Sequence, residues 1–223
     1  MKQIYFLLLL TFSTLTIFSQ PPADEDYADD TPTNFDAYRK TFTNDGVIYF
    51  LEGLNMSDSF IDILESNFFN LRYPTGSNAL VYNGGLAAGG TYYGFKSENG
   101  SEFRLAGLII DISGDGGLAT QYTIRGYKDG IEQVSQLISF NASASYNNVT
   151  YTRNADYYMG GTLNFAMNSP WKDVDEIRFY YANNLGMFGA IKSIDFETAI
   201  PGTLPVSLSE FKLTSTLPGR IQV

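Results

Sequence analysis

The chain has 223 residues, with 24 Asp+Glu against 14 Lys+Arg, no histidine, no cysteine and a net charge of −10 at pH 7. The missing cysteine and histidine exclude disulfide bonds, Ser-His-Asp and Cys-His catalysis, and the usual zinc ligands. The negative charge argues against nucleic acid and anionic membrane surfaces as partners, because both require basic patches on the protein.

Residues 1–19 are predicted to be a secretory signal peptide. A single basic residue, Lys2, precedes an apolar stretch that reaches Phe18, and the small Ser19 suits a cleavage site. A membrane anchor is the alternative, but serine and threonine interrupt the stretch, and a membrane span needs about 20 mainly apolar residues. Cleavage would leave Gln20 at the N-terminus, with no cysteine for a lipid anchor. We therefore expect a secreted or cell-surface protein with no membrane insertion after cleavage.

An acidic segment bracketed by prolines follows at residues 20–34. Five of its residues between Asp24 and Asp30 are acidic. A segment this polar has few apolar side chains to bury, so we expect a solvated, flexible leader. Aromatic and apolar residues return from Phe35 onward, and the folded domain is predicted to span residues 35–200.

The folded domain is predicted to be all-β, an antiparallel two-sheet jelly-roll sandwich. Asp45-Gly46 and Asp129-Gly130 are hairpin turn signals beside apolar runs. The remaining apolar runs are short and are separated by glycine and asparagine, as a sandwich or jelly roll requires. At most one short helix is expected, within residues 57–68, where apolar side chains recur at near-helical spacing and a strand is the competing interpretation.

Residues 201–223 are predicted to be a linker and the start of a truncated second β domain. The segment contains one alternating run, a Pro-Gly turn at Pro218 and Gly219, and the beginning of another run. Two strands alone are not stable in water. These strands are therefore expected either to dock on the sandwich or to begin a second domain that is truncated in this chain.

The order of the runs FRLAGLIIDI, TIRGYKDG, WKDVDEIRFYY and IKSIDF resembles a lectin-like jelly-roll module. Such carbohydrate-binding-module-like domains are widespread in proteins that Gram-negative bacteria export by type IX secretion. The tail LPVSLSEFKLTST is similar to the Leu-Pro-Val linker that opens a following fibronectin-like domain in those proteins. The resemblance implies a secreted or surface-located binding module of a Gram-negative bacterium.

Aromatic side chains make up 15% of the chain. Exposed rings on a sheet or at its rim form flat apolar platforms for the faces of sugars. Tyrosine is also a strong strand former, so the same rings equally fit an ordinary pleated surface. We expect a monomeric, non-catalytic binding or adhesion module whose partner is a polysaccharide or glycan. The candidate ligand-binding residues are Tyr92, Tyr93, Tyr157, Tyr158, Trp171 and Tyr181.

A glycoside hydrolase and a structural spacer are the alternative functions. Glycosidases use paired carboxylates, and Asp173, Asp175 and Glu176 form the densest cluster of acids in the predicted sheets. Their spacing differs from the Glu-x-Asp-x-x-Glu pattern of the best-known jelly-roll glycosidases. The structural interpretation of this cluster, a polar turn that begins a strand, is therefore favoured.

A structural calcium ion is the one cofactor expected, and it is the resemblance that implies it. Related jelly-roll modules join their first strand to their last through such an ion. Here the first-strand region carries Asp36 and Asp45, and the last strand carries Asp195 and Glu197. A bound ion would relieve repulsion among carboxylates and stabilise the folded state by mass action. The alternative is that all four carboxylates face water.

Overall fold

The computed structural model describes residues 20–32, 39–52, 59–65, 78–85, 92–112, 120–155, 159–181, 187–201, 214–217 and 220–222. The predicted signal peptide, residues 1–19, lies outside this part of the chain. Within it, no helix is long enough and apolar enough to span a bilayer.

The described residues form strands and one short 3-10 helix, Pro170–Lys172. The strands are β1 Thr41–Asn44, β2 Val47–Glu52, β3 Phe60–Glu65, β4 Asn78–Gly85, β5 Tyr92–Ser97, β6 Phe103–Ile112, β7 Gln121–Lys128, β8 Ile131–Ser139, β9 Ala144–Tyr146, β10 Val149–Asn154, β11 Gly160–Phe165, β12 Glu176–Tyr181, β13 Met187–Thr198, β14 Thr214–Leu217 and β15 Arg220–Gln222.

Two antiparallel sheets form the body of the fold. The six-stranded sheet has the order β1-β2-β5-β12-β7-β8, and the seven-stranded sheet has the order β3-β4-β13-β6-β11-β10-β9. The chain passes repeatedly from one sheet to the other, as it does in a jelly roll. Rings of Tyr82 in β4 and Tyr93 in β5 stack across the two sheets with centroids 3.6 Å apart. The prediction of an all-β, antiparallel two-sheet sandwich is confirmed.

Both predicted Asp-Gly hairpin turns are present. The φ angles are 45° at Asp45 and 78° at Gly46, and 52° at Asp129 and 75° at Gly130. Positive φ at both central residues gives the two-residue hairpin loop whose twist matches its flanking strands. These turns join β1 to β2 and β7 to β8.

The helix considered within residues 57–68 does not form over Phe60–Glu65, which is strand β3. Its first five residues are buried, so the strand is buried on both faces. Ile61 and Ile63 belong to the core between the sheets, and Phe60 and Leu64 join a smaller apolar cluster. A strand buried on both faces lacks the alternation that identifies an exposed strand, and its spacing therefore imitated a helix.

Residues 20–32 pack on the sandwich, which corrects the expectation of a solvated leader for these residues. Glu25 N donates to Ile194 O at 2.9 Å, and Ile194 N donates to Glu25 O at 2.8 Å. Phe196 N donates to Asp24 Oδ1 at 2.7 Å. Tyr27 is fully buried in the core. The leader docks through its backbone, the side chain of Asp24 and one aromatic ring, although five of its residues are acidic.

The tail contains a small antiparallel sheet, in which β14 pairs with β15. The two strands lie on either side of the Pro-Gly pair, in the order that the sequence predicts. Residues 202–213 lie outside the described part of the chain. The linker and a second domain therefore stay predictions.

Candidate functional site

Two of the predicted ligand-binding residues, Trp171 and Tyr93, are fully buried. Trp171 lies in the 3-10 helix and packs edge-on against Phe165, with ring centroids 4.9 Å apart. Tyr93 stacks between Tyr82 and Phe179, at centroid distances of 3.6 and 4.6 Å. A ring with no exposed face cannot stack on a sugar. Both predictions are therefore corrected, because these rings are part of the core.

Tyr92 is the predicted residue that reaches the surface. Its half-buried ring lies in β5 directly opposite Tyr180 in β12, and the two ring centroids are 4.8 Å apart. Tyr157 and Tyr158 lie outside the described residues, and only the backbone of Tyr181 is described. The structure thus places one member of the predicted set, Tyr92, in a half-buried aromatic pair at the surface.

This ring pair lies on the face of the six-stranded sheet that points away from the core. In β12, Ile177 and Phe179 are fully buried, so the alternating Arg178 and Tyr180 point to the opposite side. We call this surface the outer face. Its charged and aromatic residues are Phe50, Glu52, Tyr92, Lys96, Arg125, Tyr127, Glu132, Glu176, Arg178 and Tyr180.

Two arginines stack on rings of the outer face. Arg178 Cζ lies 4.0 Å from the ring centroid of Tyr127 and 5.0 Å from that of Tyr92. Arg125 Cζ lies 4.5 Å from the ring centroid of Tyr180. Cation–π contacts at exposed sites contribute about 0.5–1 kcal/mol each. They hold the rings and guanidinium groups in one arrangement, which reduces the conformational entropy lost when a ligand binds.

Both arginines also have carboxylate partners on the same face. Arg178 Nε pairs with Glu176, and Arg125 Nη1 lies 3.1 Å from Glu132 Oε2. Burial lowers the pKa of Arg178, but its hydrogen bonds and the charge of Glu176 outweigh that effect, and the net pKa is raised. The guanidinium group is therefore always charged and always paired. Donor N–H groups and acceptor carboxylates lie next to one another between the rings.

A groove crosses the outer face beside Phe50. Gly94 in β5 lies between Phe50 in β2 and Arg178 in β12 and has no side chain to fill the space above the sheet. The ring of Phe50 leans over this glycine, since an added Cβ at Gly94 would lie 2.8 Å from Phe50 Cζ. The groove has a volume of about 340 Å³, and Lys40, Ile48, Phe50, Glu52, Lys96, Glu176 and Arg178 are among its lining residues.

One end of the groove joins the aromatic pair through a hydrogen bond. Tyr92 OH donates to Glu52 Oε2 at 2.5 Å. Burial, followed by this hydrogen bond, raises the pKa of Tyr92, so the phenol stays protonated at neutral pH. The bond orients both side chains at the edge of the ring pair. Their positions are thus set before any ligand arrives.

Among the ligand-binding residues that the sequence predicts, Tyr92 is the one that the structure places on the outer face; Glu176, considered there for the hydrolase alternative, also lies on it. Tyr180, Arg178 and Arg125 carry most of its contacts, and none of them was among the candidate residues. The signal was the alternation in EIRFYY, in which every second residue is charged or aromatic while Ile177 and Phe179 are apolar. Counting alternate positions assigns the three residues to one face once the strands are known to be neighbours.

The carboxylates considered for the glycoside hydrolase alternative, Asp173, Asp175 and Glu176, have structural partners. Asp173 accepts hydrogen bonds from Lys128 Nζ at 3.0 Å, and Asp175 Oδ2 accepts from the backbone N–H of Asp129 at 2.8 Å. Glu176 pairs with the arginine described above. Burial raises the pKa of Asp175, and the hydrogen bond from Asp129 opposes this shift. These contacts support the interpretation of a polar turn that begins strand β12.

Three carboxylates converge where the leader meets the β1–β2 turn. Glu25, Asp30 and Asp45 each place one oxygen within 4.8 Å of the other two. Asn44 Nδ2 lies within hydrogen-bond distance of all three, at 3.2, 3.0 and 2.9 Å respectively. An amide NH₂ group has two hydrogens and so cannot satisfy three carboxylates at once. We call this group the acidic cluster.

The acidic cluster contains one of the predicted calcium ligands, Asp45. Asp195 and Glu197 lie in β13 and do not belong to the cluster; Glu197 pairs instead with Arg104. The fourth predicted ligand, Asp36, lies outside the described residues. The calcium ion stays a prediction, and the residues at which to test it are those of the acidic cluster.

Burial raises the pKa of Glu25, and the charges of Asp30 and Asp45 raise it further, against the hydrogen bonds from Tyr27 N–H and Asn44. Burial also raises the pKa of Asp30. At neutral pH the cluster therefore brings together negative charges that repel one another. Protonation or a bound cation would stabilise the folded state.

No protein-family model matches the chain, and no curated protein matches it. Among solved structures, the fold is similar to a DUF4465 family protein from Bacteroides caccae, with a TM-score of 0.45, 16% identity, and coverage of 83% of this chain and 97% of that one. It is also similar to the K2 cleaved adhesin domain of Lys-gingipain, with a TM-score of 0.41, 12% identity and coverage of 78% and 97%. The K1 cleaved adhesin domain of Lys-gingipain from Porphyromonas gingivalis gives a TM-score of 0.41, 8% identity and coverage of 81% and 99%. Likenesses at this level do not indicate a shared function.

Proposed function

We propose that the chain is a secreted, non-catalytic binding or adhesion module that binds a glycan on the outer face of the six-stranded sheet. The observation that carries this proposal is the half-buried ring pair of Tyr92 and Tyr180 on the outer face, with centroids 4.8 Å apart. Arg125 Cζ lies 4.5 Å from the ring centroid of Tyr180, and Arg178 Cζ lies 5.0 Å from that of Tyr92, so cation–π contacts hold both rings. The proposed location outside the cell rests on the signal-peptide pattern of residues 1–19.

The chemistry of the outer face suits a sugar. Aromatic rings stack on the apolar C–H face of a pyranose, while polar groups around the rings bond to its hydroxyl groups. Glu52 and Glu176 provide acceptors for these hydroxyls, and Arg178 provides donors. All three line the groove that begins at the ring pair. Stacking and hydrogen bonding are therefore available side by side.

Glycan-array binding by residues 20–223 tests the proposal. We expect Tyr180→Ala to weaken binding at least about tenfold, which corresponds to about 1.4 kcal/mol. Met167→Ala is the matched control, because Met167 is a large exposed apolar residue that is not on the outer face. The control should bind like the unmodified chain. A Tyr180→Ala variant that folds and binds with unchanged affinity contradicts the proposed site.

The glycoside hydrolase alternative is tested with the same ligands. Incubation of bound glycans with the chain should release no reducing ends. Hydrolysis that is lost in Asp175→Asn or Glu176→Gln would show that the chain is a glycoside hydrolase and not a non-catalytic binding module. If neither binding nor hydrolysis is found, the structural spacer is the remaining function.

A further inference from the structure

The outer face has nearly balanced charges, although the chain has 24 acidic and only 14 basic residues. Among the residues that the structure describes, its cations, counted with those of the groove, are Lys40, Lys96, Arg125 and Arg178, and its carboxylates are Glu52, Glu132 and Glu176. The face therefore has at most one positive charge in excess. The outer face has too little net positive charge to neutralise an acidic polymer with a charge on every repeat. The negative charge of the rest of the protein would repel such a polymer.

The cations of the outer face are already engaged. Arg125 pairs with Glu132 and Arg178 pairs with Glu176. Lys96 Nζ lies 5.8 Å from the ring centroid of Phe50, within the range of a cation–π contact. Lys40, at the margin of the groove, donates to the backbone and side-chain oxygens of Ser59. An anionic ligand could recruit the two arginines only by competing with the carboxylates that hold them. A neutral ligand leaves these pairs intact.

Each ion pair instead suits a hydroxyl group, which both donates and accepts hydrogen bonds. A guanidinium N–H can donate to a sugar oxygen while the neighbouring carboxylate accepts from the same or the next hydroxyl. Arg178 with Glu176 and Arg125 with Glu132 offer this combination on adjacent strands. The arginine of each pair contacts a half-buried tyrosine ring, Tyr180 for Arg125 and Tyr92 for Arg178. The arrangement therefore favours a ligand that has many hydroxyl groups and no net charge.

The residues of the outer face extend across the strands. They lie on β2, β5, β12, β7 and β8, which are neighbours in that order in the sheet. Neighbouring strands are 4.7–4.9 Å apart, so the distance from β2 to β8 is about 19 Å. The surface is an open groove and sheet face and does not enclose a ligand from all sides. Such a shape fits a length of an extended chain better than a single terminal sugar.

We infer that the outer face binds an uncharged, hydroxyl-rich polysaccharide as an extended chain lying across the strands from β2 to β8. This inference rests on the proposed function and names the class of ligand for the same site. The rings of Tyr92 and Tyr180 stack on the sugar faces, and the two arginine-carboxylate pairs bind the hydroxyls. The ion pairs stay formed in the complex.

Affinity electrophoresis of residues 20–223 in gels with three soluble polymers tests the ligand class. The polymers are a neutral β-glucan, a polyuronate and a sulfated polysaccharide, each at low and at high ionic strength. We expect retardation by the neutral polymer that changes less than about twofold with salt, because no net charge is neutralised on binding. The acidic polymers should retard the chain at least about tenfold less.

The outcomes separate this inference from the proposed function. Stronger binding to an acidic polymer, lost at high salt, would overturn the neutral ligand class and leave a glycan-binding module. Absence of binding to all three polymers, and to the glycan array, would overturn the proposed function and the inference with it. Binding to immobilised protein in place of glycan would likewise overturn both.

Oligosaccharides of increasing length test the extended geometry. We expect affinity to rise over the first several sugar units and to reach a plateau when the ligand extends across the sheet. Glu52→Gln in β2 and Glu132→Gln in β8 lie at opposite ends of the face. Both substitutions should weaken binding of the long chain. A disaccharide that binds as tightly as the polymer, or long-chain binding that neither substitution changes, would overturn the extended mode.

Discussion

Tyr27 and Tyr49 meet inside the sandwich, with their hydroxyl oxygens 3.3 Å apart and their ring centroids 6.1 Å apart. Tyr27 comes from the leader and Tyr49 from β2, and neither ring is exposed to solvent. Burial raises the pKa of both phenols, so both stay protonated at neutral pH. The leader is therefore joined to the core by a buried side chain as well as by its backbone bonds to Ile194.

The buried leader predicts a large effect of truncating Tyr27. Removing its ring in Tyr27→Ala leaves a cavity and an unpaired hydroxyl on Tyr49, and we expect the free energy of unfolding to fall by about 3–5 kcal/mol. Urea unfolding of residues 20–223 measures this change. Tyr27→Phe is the matched control, because it removes only the hydroxyl and should cost about 1 kcal/mol. Equal stability of Tyr27→Ala and the unmodified chain would show that the leader does not dock.

Trp171 and Tyr180 are expected to separate stability from binding. Trp171 is fully buried, so Trp171→Ala should lower the free energy of unfolding by about 3–5 kcal/mol. Tyr180 is half-buried on the outer face, so Tyr180→Ala should destabilise less and should weaken glycan binding. Thermal unfolding and glycan binding of both variants are compared. The reverse pattern, with a stable Trp171→Ala that fails to bind, would place the ligand at the tryptophan.

The fluorescence of the single tryptophan tests whether the ligand binds away from Trp171. Because Trp171 lies in the core and packs against Phe165, a ligand on the outer face does not contact its indole ring. We expect saturating glycan to leave the intensity and wavelength of its fluorescence unchanged. Urea, in contrast, should shift the emission to longer wavelength as the core opens. A large change caused by the glycan at a constant degree of folding would contradict the proposed site.

The sequence predicts best those features that depend on neighbouring residues. Asp45-Gly46 and Asp129-Gly130 were found because positive φ at two adjacent positions sets a hairpin turn locally. Whether an aromatic ring points into the core or to the surface is harder to predict from the sequence. Trp171 lies in a 3-10 helix, so no alternation along a strand indicates that it points inward.

The docking of the leader could not be predicted from its composition, because it depends on a distant part of the fold. Strand β4 pairs with β13 as far as Ile191, and the leader takes the position beyond it, at Ile194. The backbone groups of Ile194 would otherwise have no partner at that edge. This open position at the edge of β13 exists only in the assembled sheet. The acidic segment is ordered because its backbone pairs with Ile194 there.

The raised pKa values of Glu25 and Asp30 predict that the domain becomes more stable as the pH falls. Their ordinary pKa values are 4.5 and 3.8, and burial raises both in the folded state. The folded state therefore binds more protons than the unfolded state between the ordinary and the raised values, and the free energy of unfolding rises as pH falls through that window. Burial shifts Asp175 and Asp195 in the same direction. In excess chelator, we expect a higher thermal midpoint at about pH 5 than at about pH 7.

Glu25→Gln identifies the contribution of the acidic cluster. The amide oxygen can still accept from Tyr27 N–H, while the charge is removed, so this variant should be more stable than the unmodified chain at neutral pH and should depend less on pH. Glu65→Gln removes one charge from an exposed position in β3 and should leave the pH profile unchanged. An unchanged pH profile in Glu25→Gln would show that the cluster does not titrate as its burial requires.

Calcium is expected to act on the same cluster. Three carboxylate oxygens within 4.8 Å of one another, two from the leader and one from the β1–β2 turn, would be joined by the ion in the folded state. Because an ion that binds only the folded state stabilises it by mass action, the thermal midpoint at neutral pH should rise by several degrees from excess chelator to millimolar calcium. Asp45→Asn should abolish this rise. In millimolar calcium, we expect the thermal midpoint to fall as the pH falls, which is the reverse of its behaviour in excess chelator, because protons compete with the ion for the carboxylates.

Asp195→Asn is the matched control for the calcium experiment. Asp195 was a predicted ligand from the sequence, and the structure places it in β13 outside the acidic cluster. Its substitution removes the same charge as Asp45→Asn, so a general effect of net charge would appear equally in both variants. We expect the calcium-induced rise to persist in Asp195→Asn. If Asp195→Asn abolishes the calcium-induced rise and Asp45→Asn retains it, the ion binds at the last strand and not at the acidic cluster. If the unmodified chain has the same thermal midpoint with and without calcium, the chain binds no stabilising calcium ion.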